Sequence, residues 1–75
     1  MDHKIRWGIL ATGSIAETFA SDLKMSHYGI LAGVASRTPA RAQEFCDRHG
    51  GTASEGYAAL LARDDIDAVY IATPH

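Results

Sequence analysis

Residues Trp7 to Ala20 read WGILATGSIAETFA: an apolar run, a loop containing Gly13, then a stretch with helical spacing. Two phosphate-loop patterns overlap in it. From Gly8 the stretch reads G-x-x-x-x-G followed by Ser14 and Ile15. The lysine that would reach the β- and γ-phosphates of a mononucleotide is missing at Ser14, and Ile15 cannot supply a magnesium-binding hydroxyl. From Ala11 it reads A-x-G-x-x-A, a dinucleotide fingerprint whose first glycine is replaced by alanine. Gly13 lets the backbone come close to a pyrophosphate, and Ala16 lets the helix sit tightly on the strand. At Ala11, a positive φ would cost about 1–2 kcal/mol on steric grounds.

The surrounding sequence supplies the context that a dinucleotide loop needs. Ile5 to Leu10 is apolar enough for a strand. From Ser14 to Met25, Ile15, Phe19, Ala20 and Leu23 share one helical face, while Glu17, Asp22 and Lys24 do not. Gly29 to Ser36 (GILAGVAS) is continuously apolar, as expected for a strand covered on both faces. Thr38-Pro39 predicts a helix start, with the threonine hydroxyl as cap and proline in the first turn. That helix places Ala42, Phe45, Cys46 and His49 on one face and ends at Gly50-Gly51. A short strand around Thr52 and Ala53 is expected next, then a brief helix opened by Ser54 or Glu55 and holding Tyr57, Leu60 and Leu61. A last strand is predicted over Ile66 to Thr73 (IDAVYIAT). Strands alternating with helices predict an α/β fold, a Rossmann-like doubly wound parallel sheet of which the first βαβαβ portion is present. A loop between such a strand and helix presents unpaired N–H groups and the positive end of a helix dipole, and so favours an anion.

The end of the second strand selects the nucleotide. About 20 residues beyond Ala16, an NAD site places Asp or Glu on the ribose 2′-hydroxyl. Here that corner holds Ser36 and Arg37, with Arg41 one helical turn on. A small hydroxyl and guanidinium groups suit a 2′-phosphate, which arginine grips through forked, charge-assisted bonds. NADP is therefore expected, with NAD the second choice.

Composition narrows the remaining classes. Seventy-five residues make at most one small domain, burying only about 60–65% of its unfolded surface. A net charge of −2 provides no basic field for nucleic acid or a membrane surface. Cys46, the one cysteine, excludes an internal disulfide and any multi-cysteine metal site. No signal peptide or membrane-length apolar run is visible, and a cytoplasmic location is expected. His3 and His27 lack a partner at metal-ligand spacing, and His49 suits a helix C-terminus. Cys46, Tyr57 and Tyr70 are expected to be packing residues. Asp64, Asp65 and Asp67 form the polar turn before a strand rather than a cation site.

Taken together, RWGILATGSIA, GVASRTPARAQEFCDRHG and SEGYAALLARDDIDAVYIATP with the final histidine resemble the N-terminal part of the Gfo/Idh/MocA-type oxidoreductases. Ala11 departs from that family's usual glycine. The resemblance implies a nicotinamide dinucleotide in a Rossmann domain and hydride transfer to or from a sugar, polyol or related substrate. It also implies a second domain carrying most substrate contacts and a homo-oligomer interface. By position, Thr12, Gly13, Ser14 and Ile15 would line the pyrophosphate. Ser36, Arg37 and Arg41 would face the adenosine phosphate, and Ala72, Thr73, Pro74 and His75 would run toward the nicotinamide. The resemblance puts no catalytic residue in these 75 residues, and residues 1–75 are expected to be the first part of a truncated dinucleotide-binding domain without its substrate domain. A dinucleotide-binding sensor without catalysis is the alternative. A methyltransferase fits less well, because Ile15 stands where glycine is needed.

Overall fold

The apolar run after Lys4 folds as a strand at the centre of a parallel sheet, and the rest of the chain winds outward from it. A computed structural model describes residues 4–11 and 13–72. In chain order these form β1 (Ile5–Leu10), α1 (Ser14–Met25), β2 (Gly29–Ala35), α2 (Pro39–His49), β3 (Thr52–Ser54), α3 (Tyr57–Leu61) and β4 (Ala68–Ile71). The sheet order is β3-β2-β1-β4. All pairings are parallel, with Ile9 of β1 facing Val34 on one side and Tyr70 on the other. The chain steps outward from β1 to β3 and then returns to the far side of β1. The C-terminal ends of β1 and β4 therefore flank the point where strand order reverses, where ligands settle in open α/β sheets.

Side chains alternate across the strands, so neighbouring residues feed two cores. On one face Ile9 and Val34 meet Ala16 and Ala20 of α1 and Ala42, Phe45 and Cys46 of α2. On the other, Leu10 and Ala35 meet Leu60 of α3, with Tyr57, Ile66 and Val69 packed around them. Trp7 meets Phe19 edge-on at 5.1 Å, and Phe19 stacks on Tyr70 at 4.1 Å. These contacts join β1, α1 and β4.

Three local expectations change. The short helix starts at Tyr57 with Gly56 at its cap, φ 93°, because the left-handed turn falls on the glycine rather than on Ser54 or Glu55. The last strand is shorter than its apolar run: Ile66 turns into the second core, and Asp67 is held by Arg6 through a forked pair at 3.0 and 2.9 Å. β2 is fully covered only in its C-terminal half; α3 is too short to reach the other end, where Ile30 is 42% exposed.

β2 also carries a bulge. Trp7 faces Leu31 but Gly8 faces Gly33, so Ala32 is an extra residue. Its carbonyl accepts from Arg63 Nη2 at 3.2 Å. Arg63 Nη1 also donates to the Thr52 carbonyl and to Ser54 Oγ, both at 3.1 Å. Asp65 holds the guanidinium from outside at 2.7 and 2.9 Å. Gly33 makes room for it: a Cβ there would collide with Arg63 Nη1 and stand 2.8 Å from Leu60 Cδ1.

Candidate functional site

Two glycine-loop features converge at the end of β1. Ala11 has φ 83°, the one positive-φ non-glycine among the described residues. Its N–H still donates to the Ala35 carbonyl at 2.7 Å, which ties the turn to β2. Gly13 follows with φ 127° and ψ −175° as the N-cap of α1, a backbone state that needs glycine. Apart from its chain neighbours, a Cβ built on Gly13 meets no atom of the described residues within 4 Å, so the space beside it can admit a ligand. Among the described residues no side chain caps α1, and the first N–H groups of a helix have no partner inside it. Ser14 and Ile15 are exposed there, whereas Ala16 is fully buried against the sheet. The loop can take an anion on its backbone.

The second corner lies where β2 runs into α2. Ser36 is 7% exposed, and its Oγ accepts from the Thr38 N–H at 3.3 Å, leaving the hydroxyl hydrogen to donate elsewhere. Thr38 stands at the cap position of α2, but its hydroxyl makes no capping bond. Its carbonyl instead accepts from the Arg41 and Ala42 N–H groups. Arg37 and Arg41 are both exposed, and no carboxylate among the described residues pairs with either. Arg41 borders an open groove of about 440 Å³ together with Gly13, Glu17, Glu44 and Arg48. The glycine loop and the arginine corner thus share one edge of the sheet, joined by this groove.

Ala72 sits just beyond β4, its N–H donating to the Leu10 carbonyl at 3.1 Å, which sets it beside the glycine loop across the reversal point. Thr12, Thr73, Pro74 and His75 lie outside the described residues.

One contact at this edge was missed by reading His49 as a helix-end residue alone. Glu17 of α1 takes His49 Nε2 on one oxygen at 2.5 Å and Arg48 Nη2 on the other at 2.6 Å, both from α2. The hydrogen bond from His49, with Arg48 adding charge, holds the Glu17 carboxyl below its ordinary value. An ionised carboxylate only accepts, so the imidazole carries its hydrogen on Nε2; Nδ1 is buried without a partner among the described residues. The residues involved are 32 apart in sequence, and nothing local signals the pairing.

The residues set aside on sequence grounds have ordinary environments. Cys46 is buried, and burial pushes its thiol up, away from reactivity. Asp65 and Asp67 are engaged with Arg63 and Arg6. Among the described residues no three His, Cys, Asp or Glu side chains converge as a metal set, and no helix is long and apolar enough to cross a membrane.

Comparison with known proteins agrees with the Rossmann-like fold. Residues 5–75 match the family described as "Oxidoreductase family, NAD-binding Rossmann fold". The chain is 37% identical to the D-xylose 1-dehydrogenase (NADP(+)) of Hypocrea jecorina, over 97% of this chain and 22% of that enzyme. It is 42% identical to a dTDP-3,4-didehydro-2,6-dideoxy-alpha-D-glucose 3-reductase from Actinomadura kijaniata, over 96% of this chain and 22% of that protein. A crystal structure of a 3-ketoreductase from Actinomadura kijaniata, in complex with NADP and TDP-benzene, superposes with a TM-score of 0.92 at 40% identity; it covers 96% of this chain and 22% of that one. The chain therefore spans about a fifth of the length of these relatives.

Proposed function

Because the chain belongs to the Gfo/Idh/MocA oxidoreductase family and forms part of its NAD-binding Rossmann fold, we propose that residues 1–75 are the first part of a domain that binds NADP(H) in preference to NAD(H). The whole protein would transfer hydride to or from a sugar, polyol or related hydroxyl or carbonyl compound. The observation that carries the cofactor choice is the end of β2, where the buried Ser36 hydroxyl and then the exposed Arg37 stand in place of an acidic residue, with Arg41 exposed one turn on. A 2′-phosphate fits that donor set; a bare 2′-hydroxyl leaves the arginines without an acceptor.

In this reading Thr12, Gly13, Ser14 and Ile15 cradle the pyrophosphate with backbone N–H groups. Ser36, Arg37 and Arg41 hold the 2′-phosphate, and Ala72, Thr73, Pro74 and His75 lead toward the nicotinamide. The bound nicotinamide supplies the hydride chemistry, and this part of the chain grips and orients it. Two relatives whose names denote sugar oxidoreductases support the substrate class, as does the general placement of ligands beyond the C-terminal strand ends.

The test is a fluorescence titration of the purified protein with NADPH and with NADH. Arg37→Glu should weaken NADPH by about 10–100-fold, the range for a lost charged hydrogen-bonded pair, and NADH by much less. Equal losses for both would overturn the 2′-phosphate assignment.

A further inference from the structure

Resting on the 2′-phosphate reading above, we infer that Glu17 is a specificity-determining positioning residue: its joint to α2 sets the spacing between the pyrophosphate loop and the 2′-phosphate corner. The first phosphate group would sit at the start of α1 and the second at the start of α2, so a ligand carrying both must match the offset of the two helices. α1 and α2 each pack on the sheet, and their backbones barely meet. Ala16 and Ala20 of α1 and Ala42, Phe45 and Cys46 of α2 share the core that Ile9 and Val34 of the sheet complete. Polar side chains tie the two helices directly. Glu17, in the first turn of α1, binds His49 and Arg48, and Lys24 Nζ donates to the Arg48 carbonyl at 3.1 Å near the other end. Glu17 also borders the groove that contains Gly13 and Arg41. It thus ties the first turn of α1, beside the glycine loop, to the last turn of α2, whose first turn carries Arg41.

Charge alone makes the opposite forecast. Removing a carboxylate from a groove that takes a phosphate should strengthen NADP(H) binding, although only slightly at an exposed site. Two variants separate the effects. Glu17→Ala and Glu17→Gln remove the same charge, but Gln keeps an oxygen that accepts from His49 Nε2. With the joint setting the spacing, Glu17→Ala should lower the NADPH-to-NADH affinity ratio about tenfold below that of Glu17→Gln, as sub-ångström misplacement does at positioned sites. NADH, which has no 2′-phosphate to place, should change by less than about threefold in both variants. A purely structural role would weaken both nucleotides together and leave the ratio unmoved.

Arg37→Ala is run alongside. If Arg37→Ala lowers the ratio but the Glu17 variants share one value, the joint is overturned and the corner stands. If Arg37→Ala leaves the ratio unchanged, the 2′-phosphate reading fails and this inference with it. Should Glu17→Ala not fold, Glu17→Gln compared with His49→Ala reads the same joint from its other side, with the lower ratio expected in His49→Ala; equal ratios would overturn the joint.

Discussion

Ala11 holds a backbone conformation that its methyl group opposes. With φ at 83°, the steric penalty is about 1–2 kcal/mol. Ala11→Gly relieves it but returns about 0.4–1 kcal/mol of freedom to the unfolded chain. The net expectation is a gain of roughly 0.5–1 kcal/mol, or a rise of about 1–4 °C in the Tm of the full-length protein. A thermal melt of the purified protein that shows a lower Tm would refute the strain. The replaced glycine was legible in the sequence because the strand–loop–helix context marks which position must turn. The sign of φ was not, since alanine occupies negative φ almost everywhere else.

At the scale of elements, the bulge in β2 and the guanidinium that serves it act as one unit. Arg63→Met keeps the stem but strands the Ala32 and Thr52 carbonyls, so a loss of about 2 kcal/mol in urea denaturation is expected. Arg63→Lys should recover less than half of it, because one ammonium cannot span acceptors on two strands. A loss below about 0.5 kcal/mol, typical of an exposed charge, would show the contacts to be idle. In the sequence, Arg63 stands in LLARDD and resembles any solvated charge; its partners lie 11 and 31 residues away. The strands and helices were readable because burial repeats with a fixed period. Single side chains that cross between elements carry no period, which also hid the pairing of Glu17 with His49.

That pairing gives the elements an acid limit. The Glu17 carboxyl titrates below its ordinary value when folded, and so does Asp65, held chiefly by its bond from Arg63. Both therefore stabilise the fold above the unfolded carboxylate range of about pH 4 and lose that contribution as the pH falls through their lower folded values. The Tm should decline below about pH 4.5, and Glu17→Gln should decline less steeply. Parallel curves for the two proteins would assign the acid sensitivity elsewhere.

Across the whole molecule, β4 stands at one edge of the sheet and pairs, among the described residues, with β1 alone. Ile71 on it is 65% exposed, and Leu61 on α3 and Ile15 on α1 add exposed apolar surface elsewhere. An open apolar edge of this kind recruits other strands, and a 75-residue chain has little buried surface with which to resist. Prepared on its own, the 75-residue chain is expected to scatter light or bind hydrophobic dyes without a cooperative melt. A sharp thermal transition of a monomer would contradict this. The parallel, Rossmann-like winding of the sheet was legible at this scale because it follows from alternating element types. Which single side chains stay uncovered, such as Ile30, was not, because that depends on how far each short helix reaches.

The aromatic contacts along the sheet have an optical consequence. Trp7 is the sole tryptophan of these 75 residues, set edge-on to Phe19 of α1, which lies flat on Tyr70. Its emission colour reports the polarity around the indole, and therefore whether the helix capped by Gly13 is seated on its strand. The chain thus carries a native fluorophore for watching that helix lift and reseat, with no dye attached and no residue replaced.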